Sequence, residues 1–274
     1  NNIDSLDIPD ENKQFIEKFY KEDIVKGLKP KTILNDMKAI YTLAKHMNKP
    51  FSTFSKDDVV DYFAELKKNG YDISTRKCKR KGHYSERTII LWEILIKKFM
   101  KFVFNSEYYP DCVRWLKPVD KYKLVSKKDI LKSDEVEKML EKTNNPRDSA
   151  IISLIFESSC RISELMSLKI KDVEFDNCGG EISITESKTR ERKVPLYKSV
   201  PALINWINHH PDKNNRDAPL WISFSKRDCG KIVPLEPKAV SILLKSVARQ
   251  AGIQKRVYPH LMRHSGITEW SKKM

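Results

Sequence analysis

The sequence predicts a mainly helical protein with a small antiparallel sheet (α+β), arranged as two domains. Three observations lead to this prediction. The chain has 274 residues, which exceeds the usual size of one domain. Apolar residues recur three and four positions apart through most of the chain, as they do on helices that pack against a core. Strand-like alternation is confined to a short stretch between Val173 and Leu196.

The first predicted domain, residues 1–116, is a bundle of four amphipathic helices. Ser55 precedes the third helix as an N-cap, and Asp57 and Asp58 follow in the first turn, where the helix dipole favours acids. The fourth helix, about Ser85 to Asn105, is densely apolar. We therefore expect it to be the central helix of the bundle.

A strongly basic segment, residues 76–83, separates the third and fourth helices and is predicted to be a loop. A solvated surface loop is the alternative, but charge of this density favours contact with nucleic-acid phosphates. The residues that we assign to this contact are Arg76, Lys77, Lys79, Arg80 and Lys81, together with Arg87 at the start of the next helix.

Residues 117–130 are rich in lysine, contain a proline and lack helical periodicity, so they predict an extended basic linker. Lys121 and Lys123 in this linker are also assigned to nucleic-acid contact. The second domain, residues 131–274, opens with a helix capped by Ser133. Another helix follows from Asn145-Pro146, an N-cap with proline at the first helical position.

Three strands are predicted next, at about residues 173–175, 181–185 and 193–196, and the first two are joined by a glycine-containing turn. Helices resume at about Val200 to His210 and Pro237 to Ala251. A last helix begins near His260. The second domain is therefore helical with a small antiparallel sheet inside it.

Charge and composition narrow the functional classes. The net charge is +15. Residues 1–117 hold 23 Lys and Arg against 17 Asp and Glu, and the rest holds 29 against 20. Both halves are thus basic, which favours a polyanionic partner over a basic tail, although solubility alone would also explain the charge. The five cysteines are scattered and no P-loop is present, so we expect no metal and no cofactor. Without a long apolar run or a signal pattern, we expect a cytoplasmic protein that makes no membrane contact.

Two short motifs of the second half have the chemistry of a phosphate site. Arg161 is followed three residues later by Glu164, and His260 is followed three residues later by Arg263, which places each pair on one helix face. An arginine stays charged and can donate two parallel hydrogen bonds to phosphate oxygens. Each motif alone is weak evidence, because most Arg-x-x-Glu pairs are ion pairs on helix surfaces and a lone His-x-x-Arg is most often a surface coincidence.

Taken together with the hairpin at residues 186–196, these motifs resemble the catalytic domain of the tyrosine recombinases, the family of phage-type integrases and Xer-type resolvases. The matching segments are Cys160-Arg161-Ile162-Ser163-Glu164-Leu165, the Lys188 turn that ends in Val194-Pro195-Leu196, and Pro259-His260-Leu261-Met262-Arg263-His264. The N-terminal half is similar to the helical core-binding domain of that family, so the resemblance spans essentially the whole chain.

The resemblance implies a role for each matched residue. Arg161 and Arg263 would grip the scissile phosphate, Glu164 would support the site by hydrogen bonding, and His260 would handle a proton or bond the phosphate. Lys188 would protonate the departing 5′ oxygen, unless this basic turn only touches the DNA backbone. Further DNA contacts are assigned to Arg190, Arg192 and His264.

The chain departs from the family pattern in two places. Ser159 stands where the family usually has glycine, and the sequence ends eleven residues after Arg263, before the element in which the family carries its tyrosine nucleophile. Tyr258 precedes the histidine–arginine motif and is expected to pack in the core. We therefore assign no nucleophile and expect this stretch of chain alone to bind DNA without cutting it.

The resemblance implies a prokaryotic, viral or mobile-element recombinase that cuts and rejoins DNA through a 3′-phosphotyrosyl intermediate. Its partner would be double-stranded DNA with a specific recombination site, held in a C-shaped clamp and acted on by a homotetramer. Two alternatives stay open, a catalytically inactive relative that occupies sites as a regulator and a type IB topoisomerase. The set Arg161, Lys188, His260 and Arg263 favours an enzyme, because binding alone requires no proton donor.

Overall fold

The computed structural model describes residues 7–75, 78–119, 128–185, 190–224 and 231–272, with the backbone alone for 71–75 and 78–80. The chain divides into two compact units, Asn1–Lys123 and Leu124–Met274. Each unit has a hydrophobic core of its own. The architecture is mainly helical with a small antiparallel sheet, as predicted.

The first unit contains the four predicted helices and one short additional helix. They are α1 (Asp10–Val25), α2 (Pro30–Met47), α3 (Lys56–Asn69), α4 (Glu86–Val103) and α5 (Asp111–Arg114). Ser55 caps α3 as predicted, because its hydroxyl accepts from the backbone N–H of Asp58. Edge-to-face contacts of Phe99 on α4 with Phe19 and Phe51 fix the centre of this core.

The prediction of a loop between α3 and α4 is wrong. Strands β1 (Tyr71–Thr75) and β2 (Cys78–Gly82) form an antiparallel hairpin in which Thr75 lies opposite Cys78. Gly70, at φ 66°, ends α3 in a backbone conformation that favours glycine. Lysine is depleted in strands, so the dense charge of the segment concealed the strand pairing. The pairing itself is made by backbone hydrogen bonds. Arg76 and Lys77 lie outside the described residues.

The second unit begins with α6 (Ser133–Glu141), α7 (Pro146–Ser158) and α8 (Ile162–Ser167). Asn145 caps α7 as predicted by accepting from the N–H of Asp148. The predicted cap at Ser133 is wrong by one residue. Lys132 holds the capping position, and its backbone N–H donates to the Glu135 carboxylate at 2.8 Å.

Three antiparallel strands follow in the order β3 (Val173–Phe175), β4 (Gly180–Ile184) and β5 (Arg192–Leu196). The remaining helices are α9 (Val200–His209), α10 (Pro237–Gln250) and α11 (Pro259–Ser271). Every predicted element of this domain is present, with its ends within one or two residues of the prediction. No helix in the described ranges combines the length and apolar character that crossing a membrane requires.

Helix α7 lies at the centre of the second core, where its residues Ile151, Ile152, Leu154 and Ile155 are fully buried. Because α7 ends just before Arg161, burial of this helix fixes the position of the backbone that carries Arg161. The indole N–H of Trp221 donates to the carbonyl of Leu165 at 2.7 Å and thereby holds α8 against the segment after α9. Tyr258, just before α11, is partly buried against the same core.

Candidate active site

Arg161 lies at the junction of α7 and α8. Helix α7 ends at Ser159, whose φ of 50° is in the left-handed region, and the chain then turns so that Arg161 directly precedes α8. A left-handed residue usually follows a helix end and is most often glycine, so the serine here adopts the geometry for which glycine is favoured. The departure from the family pattern at Ser159 thus leaves the turn intact.

The carboxylate of Glu164 is almost completely buried, with 1% of the residue exposed, and it accepts from two arginines. Arg161 donates to it twice, from the backbone N–H at 2.9 Å and from Nη1 at 2.8 Å. Arg192, on β5, donates from Nη2 at 2.8 Å and from Nη1 at 3.4 Å. A carboxylate removed from water requires such compensation. Glu164 therefore fixes Arg161 and Arg192 relative to each other.

Arg263 reaches the same place from α11. Its Nη1 donates to the carbonyl oxygen of Ser159, which ties the helix to the turn that carries Arg161. Partial burial and the neighbouring charge of Arg161 lower the pKa of Arg263, although a guanidinium remains charged at neutral pH. Arg161 and Arg263 are therefore close enough for the charge of Arg161 to act on the guanidinium of Arg263.

His260 lies one helical turn before Arg263, and its ring meets that of His264 edge to face with centroids 4.5 Å apart. Partial burial, together with electrostatic interaction with His264, Arg263 and Arg161, lowers the pKa of His260. The imidazole is therefore neutral at neutral pH. A neutral ring nitrogen can accept a proton or donate one hydrogen bond.

A pocket of about 310 Å³ opens at this junction. Its lining residues are Ser158, Ser159, Arg161, Arg190, Arg192, Arg263 and Ile267. Four arginines on one small pocket create a strongly positive potential, which is compensated in part by the buried Glu164. Such a pocket suits a single phosphate group, since guanidinium groups can bond several of its oxygens at once and stabilise charge that develops during reaction. Among the described residues, no cluster of His, Cys, Asp and Glu side chains could hold a metal ion.

The structure thus brings together Arg161, Glu164, Arg192, Arg190 and Arg263 of the predicted site. His260 and His264 lie next to this group on α11. Other assigned residues lie elsewhere: Lys81 lies at the end of the hairpin in the first unit, and Arg87 is exposed in the first turn of α4. The assigned residues outside the described part of the chain are Lys188, Lys121, Lys123, Arg76 and Lys77, together with the side chains of Lys79 and Arg80.

Sequence reasoning missed two features of the site. One is the carbonyl of Ser159 as the acceptor that fixes Arg263, which no side-chain pattern signals. The other is Cys160, a buried residue whose Sγ lies 4.0 Å from Nη2 of Arg192. Burial raises the pKa of the Cys160 thiol, so the thiol is protonated at neutral pH. Cys160 therefore packs beside Arg192 as a small apolar side chain. Its position directly before Arg161 was the available signal.

Residues 129–273 match the model of the phage integrase family. Since this match covers more than half of the chain and includes the whole pocket, the protein belongs to that family of tyrosine recombinases and integrases. Tyrosine recombinase XerA of Pyrococcus furiosus is 28% identical over 232 residues, which are 83% of this chain and 71% of that protein. Tyrosine recombinase XerD of Oceanobacillus iheyensis is 32% identical over 153 residues, 51% of this chain and 48% of that protein.

Solved structures support the same fold over both units. Lambda integrase (residues 75–356) bound to DNA is similar with a TM-score of 0.70 at 13% identity, covering 96% of this chain and 87% of that one. The XerH site-specific recombinase in a post-cleavage complex is similar with a TM-score of 0.67 at 18% identity, covering 96% of this chain and 74% of that one. At these identities the likeness establishes the fold alone.

Proposed function

We propose that this chain forms the DNA-binding and catalytic body of a site-specific DNA recombinase. In the proposed reaction a tyrosine hydroxyl attacks a DNA phosphodiester, a bond forms between phosphorus and the phenolic oxygen, and the bond to the 5′ oxygen breaks. The product is a 3′-phosphotyrosyl link and a free 5′ hydroxyl, and a second DNA end reverses the step. Double-stranded DNA with a specific site is the proposed partner, and a homotetramer is the proposed working assembly.

The observation that carries this proposal is the convergence of Arg161 and Arg263, from different helices, on one small positive pocket. Two guanidinium groups can neutralise the phosphate before attack and stabilise the extra charge of the pentavalent transition state. Neutral His260 is suited to accept the proton of the attacking hydroxyl. Lys188 is proposed to deliver a proton to the departing 5′ oxygen.

The test uses the full-length product of the gene and a nicked suicide substrate, from which a short 5′ end diffuses away after cleavage. We expect protein to become linked covalently to a DNA 3′ end. Arg161→Ala should slow this cleavage by a hundredfold or more, because removal of one such donor costs about 3 to 4 kcal/mol of transition-state stabilisation. Arg216→Ala, at an exposed arginine outside the pocket, is the matched control.

The outcome discriminates between the candidate functions. A protein that binds its site tightly but never forms the covalent link is a regulator that occupies DNA without cutting it. A protein that relaxes supercoiled DNA without preference for a site is a topoisomerase. Cleavage that is equally fast without Arg161 would refute the placement of the active site.

A further inference from the structure

We propose that Arg192 is a positioning residue, which ties the strand after the Lys188 segment to the Arg161 phosphate clamp through the shared carboxylate of Glu164. This inference rests on the proposed function, because it concerns the same phosphate site. It differs from the expectation that Arg192 contacts DNA as one of several basic residues of the hairpin.

The first argument is that both terminal nitrogens of Arg192 donate hydrogen bonds within the protein. Its two terminal nitrogens reach the two oxygens of Glu164 at 2.8 and 3.4 Å, and Nη2 also lies 4.0 Å from the sulfur of Cys160. The bond to Glu164 raises the pKa of Arg192. With 29% of its side chain exposed, the guanidinium is partly withdrawn from the surface on which DNA would lie.

Neighbouring charges of the hairpin behave differently. Arg190 is exposed and lines the pocket, and it forms no ion pair with any of the described residues. Lys193 is exposed and pairs with Glu181 across the sheet. The whole guanidinium of Arg190 is thus available to a DNA phosphate, whereas both terminal nitrogens of Arg192, which also lines the pocket, already donate to Glu164.

The second argument is the position of Arg192 in the fold. It is the first residue of β5, where it pairs with Ile184 at the end of β4. Residues 186–189, which include Lys188, lie between this end of β4 and the start of β5. Ile184 and Leu196 are buried in the core, so the strands themselves are fixed. Arg192 therefore ties the start of β5 to Glu164 and, through it, to the turn that carries Arg161.

The third argument concerns charge. The negative charge of Glu164 is shared by the guanidinium groups of Arg161 and Arg192, so it is not available to neutralise either one fully. Without Arg192, the buried carboxylate would lose one of its donors and would hold Arg161 more tightly, away from phosphate. We therefore expect that loss of Arg192 impairs the interaction of Arg161 with phosphate, although Arg192 acts on Arg161 only through Glu164.

The experiment compares Arg192→Gln with Arg190→Gln, a control two residues away on the same hairpin, in the full-length protein. Arg192→Gln should lower the single-turnover cleavage rate at saturating DNA on the order of 10- to 100-fold, by analogy with the loss of hydrogen-bond partners that orient metal ligands. It should leave the salt dependence of DNA binding unchanged. Arg190→Gln should instead weaken binding and reduce the slope of log affinity against log salt by about 1.

A double-mutant cycle with Glu164→Gln tests whether Arg192 acts through the carboxylate. The two changes together should slow cleavage no more than the stronger single change, since they remove one interaction. Arg192→Lys keeps the positive charge but loses the paired N–H donors of the guanidinium, and it should restore part of the cleavage rate. The same variant replaces Arg192→Gln in the comparison if Arg192→Gln fails to fold. Additive effects, or a reduced salt slope with a normal rate at saturation, would overturn the proposal.

A spectroscopic measurement separates this proposal from the function on which it rests. The guanidinium NMR signal of Arg161 should shift in Arg192→Gln and stay in place in Arg190→Gln, whether or not the protein cleaves DNA. An unchanged Arg161 signal in Arg192→Gln refutes the positioning role. If the signal shifts in Arg192→Gln but the wild-type protein never cleaves DNA, the recombinase function alone is refuted.

Discussion

At the scale of single residues, Glu164 is the side chain on which the geometry of the pocket depends. It supplies the negative charge that allows Arg161, Arg192 and Arg263 to lie close together. Breaking a buried pair leaves the remaining charges uncompensated, which costs more than the pair itself contributes. The partial exposure of both arginines moderates this cost, because solvent screens part of their repulsion.

Glu164→Gln should therefore lower the free energy of unfolding by about 1 to 3 kcal/mol, as measured by urea denaturation. Glu181→Gln, which breaks the exposed pair with Lys193, should change it by less than about 1 kcal/mol. Phosphate added to Glu164→Gln should recover part of the loss by supplying negative charge to the pocket. Equal stability of the two variants would contradict the assignment of a buried charge.

His260 gives a prediction about pH. Its pKa is lower in the folded protein than its ordinary value of about 6.5, so the unfolded chain binds the proton more readily. The contribution of neutral His260 to stability is complete above about pH 6.5 and is lost as the pH falls from there through the folded pKa. The melting temperature of wild-type protein should thus fall between about pH 7.5 and 5.5 by more than that of His260→Gln. Parallel curves would contradict this prediction.

The residues of the site differ in how far sequence could predict them. Arg161, Glu164, His260 and Arg263 stand in short motifs that are weak evidence singly, and they were assigned from the resemblance of the motifs, taken together, to the family. The bond of Arg192 to Glu164 spans 28 positions and depends on the strand register, which the sequence alone does not determine. Lys188 remains a prediction, since it lies outside the described residues.

At the scale of elements, the position of α11 decides where Arg263 and His260 lie. Gly266 allows this helix to approach α7, because an added Cβ would lie 2.1 Å from the carbonyl oxygen of Phe156. Near the C-terminal end of α11, the indole N–H of Trp270 donates to the carbonyl of Glu157 on α7 at 2.8 Å, which adds a hydrogen bond between the two helices. The packing of α7 against α11 thus holds Arg263, on α11, close to Arg161, which follows the end of α7.

Gly266→Ala tests this packing, because close packing and helix propensity predict changes in stability of opposite sign. Alanine normally stabilises a helix by up to about 1 kcal/mol relative to glycine. Here the methyl group would meet a backbone oxygen, and overpacking of this kind costs about 1 to 3 kcal/mol. We expect a net loss of stability and slower DNA cleavage, whereas Ser271→Ala, at an exposed position at the end of the same helix, should be tolerated. A rise in the melting temperature of Gly266→Ala would show that helix propensity dominates.

The elements themselves were largely predictable, and the failures have physical causes. Long amphipathic helices such as α2 and α4 were found because burial imposes their period. The hairpin β1–β2 was missed because three of the five residues of β2 are charged, so its sequence lacks the apolar alternation of a half-buried strand. The start of α6 was misplaced because a serine directly before two acids fits either the cap or the first turn.

At the scale of the whole molecule, the net charge of +15 is spread over both units and should dominate association with DNA. A protein that neutralises several phosphates releases counterions, so its affinity falls steeply with salt. With roughly 6 to 10 phosphates neutralised, affinity should fall by about three to five orders of magnitude between about 50 and 200 mM salt. Log affinity that hardly changes with log salt would contradict extensive binding to phosphates.

The hairpin of the first unit allows this general attraction to be separated from recognition of a site. Replacing Lys79, Arg80 and Lys81 together by alanine should weaken binding to every sequence and reduce the salt slope by about 1 for each phosphate that is no longer neutralised. The ratio of affinities for the preferred site and for random DNA should stay nearly constant, because interactions with phosphates carry no base information. Lys21→Ala with Lys26→Ala is the control, since Lys21 on α1 and Lys26 directly after it already pair with Glu17 and Glu22. Selective loss of the preferred site in the triple variant would mean that the hairpin reads bases, as a two-stranded ribbon in the major groove can.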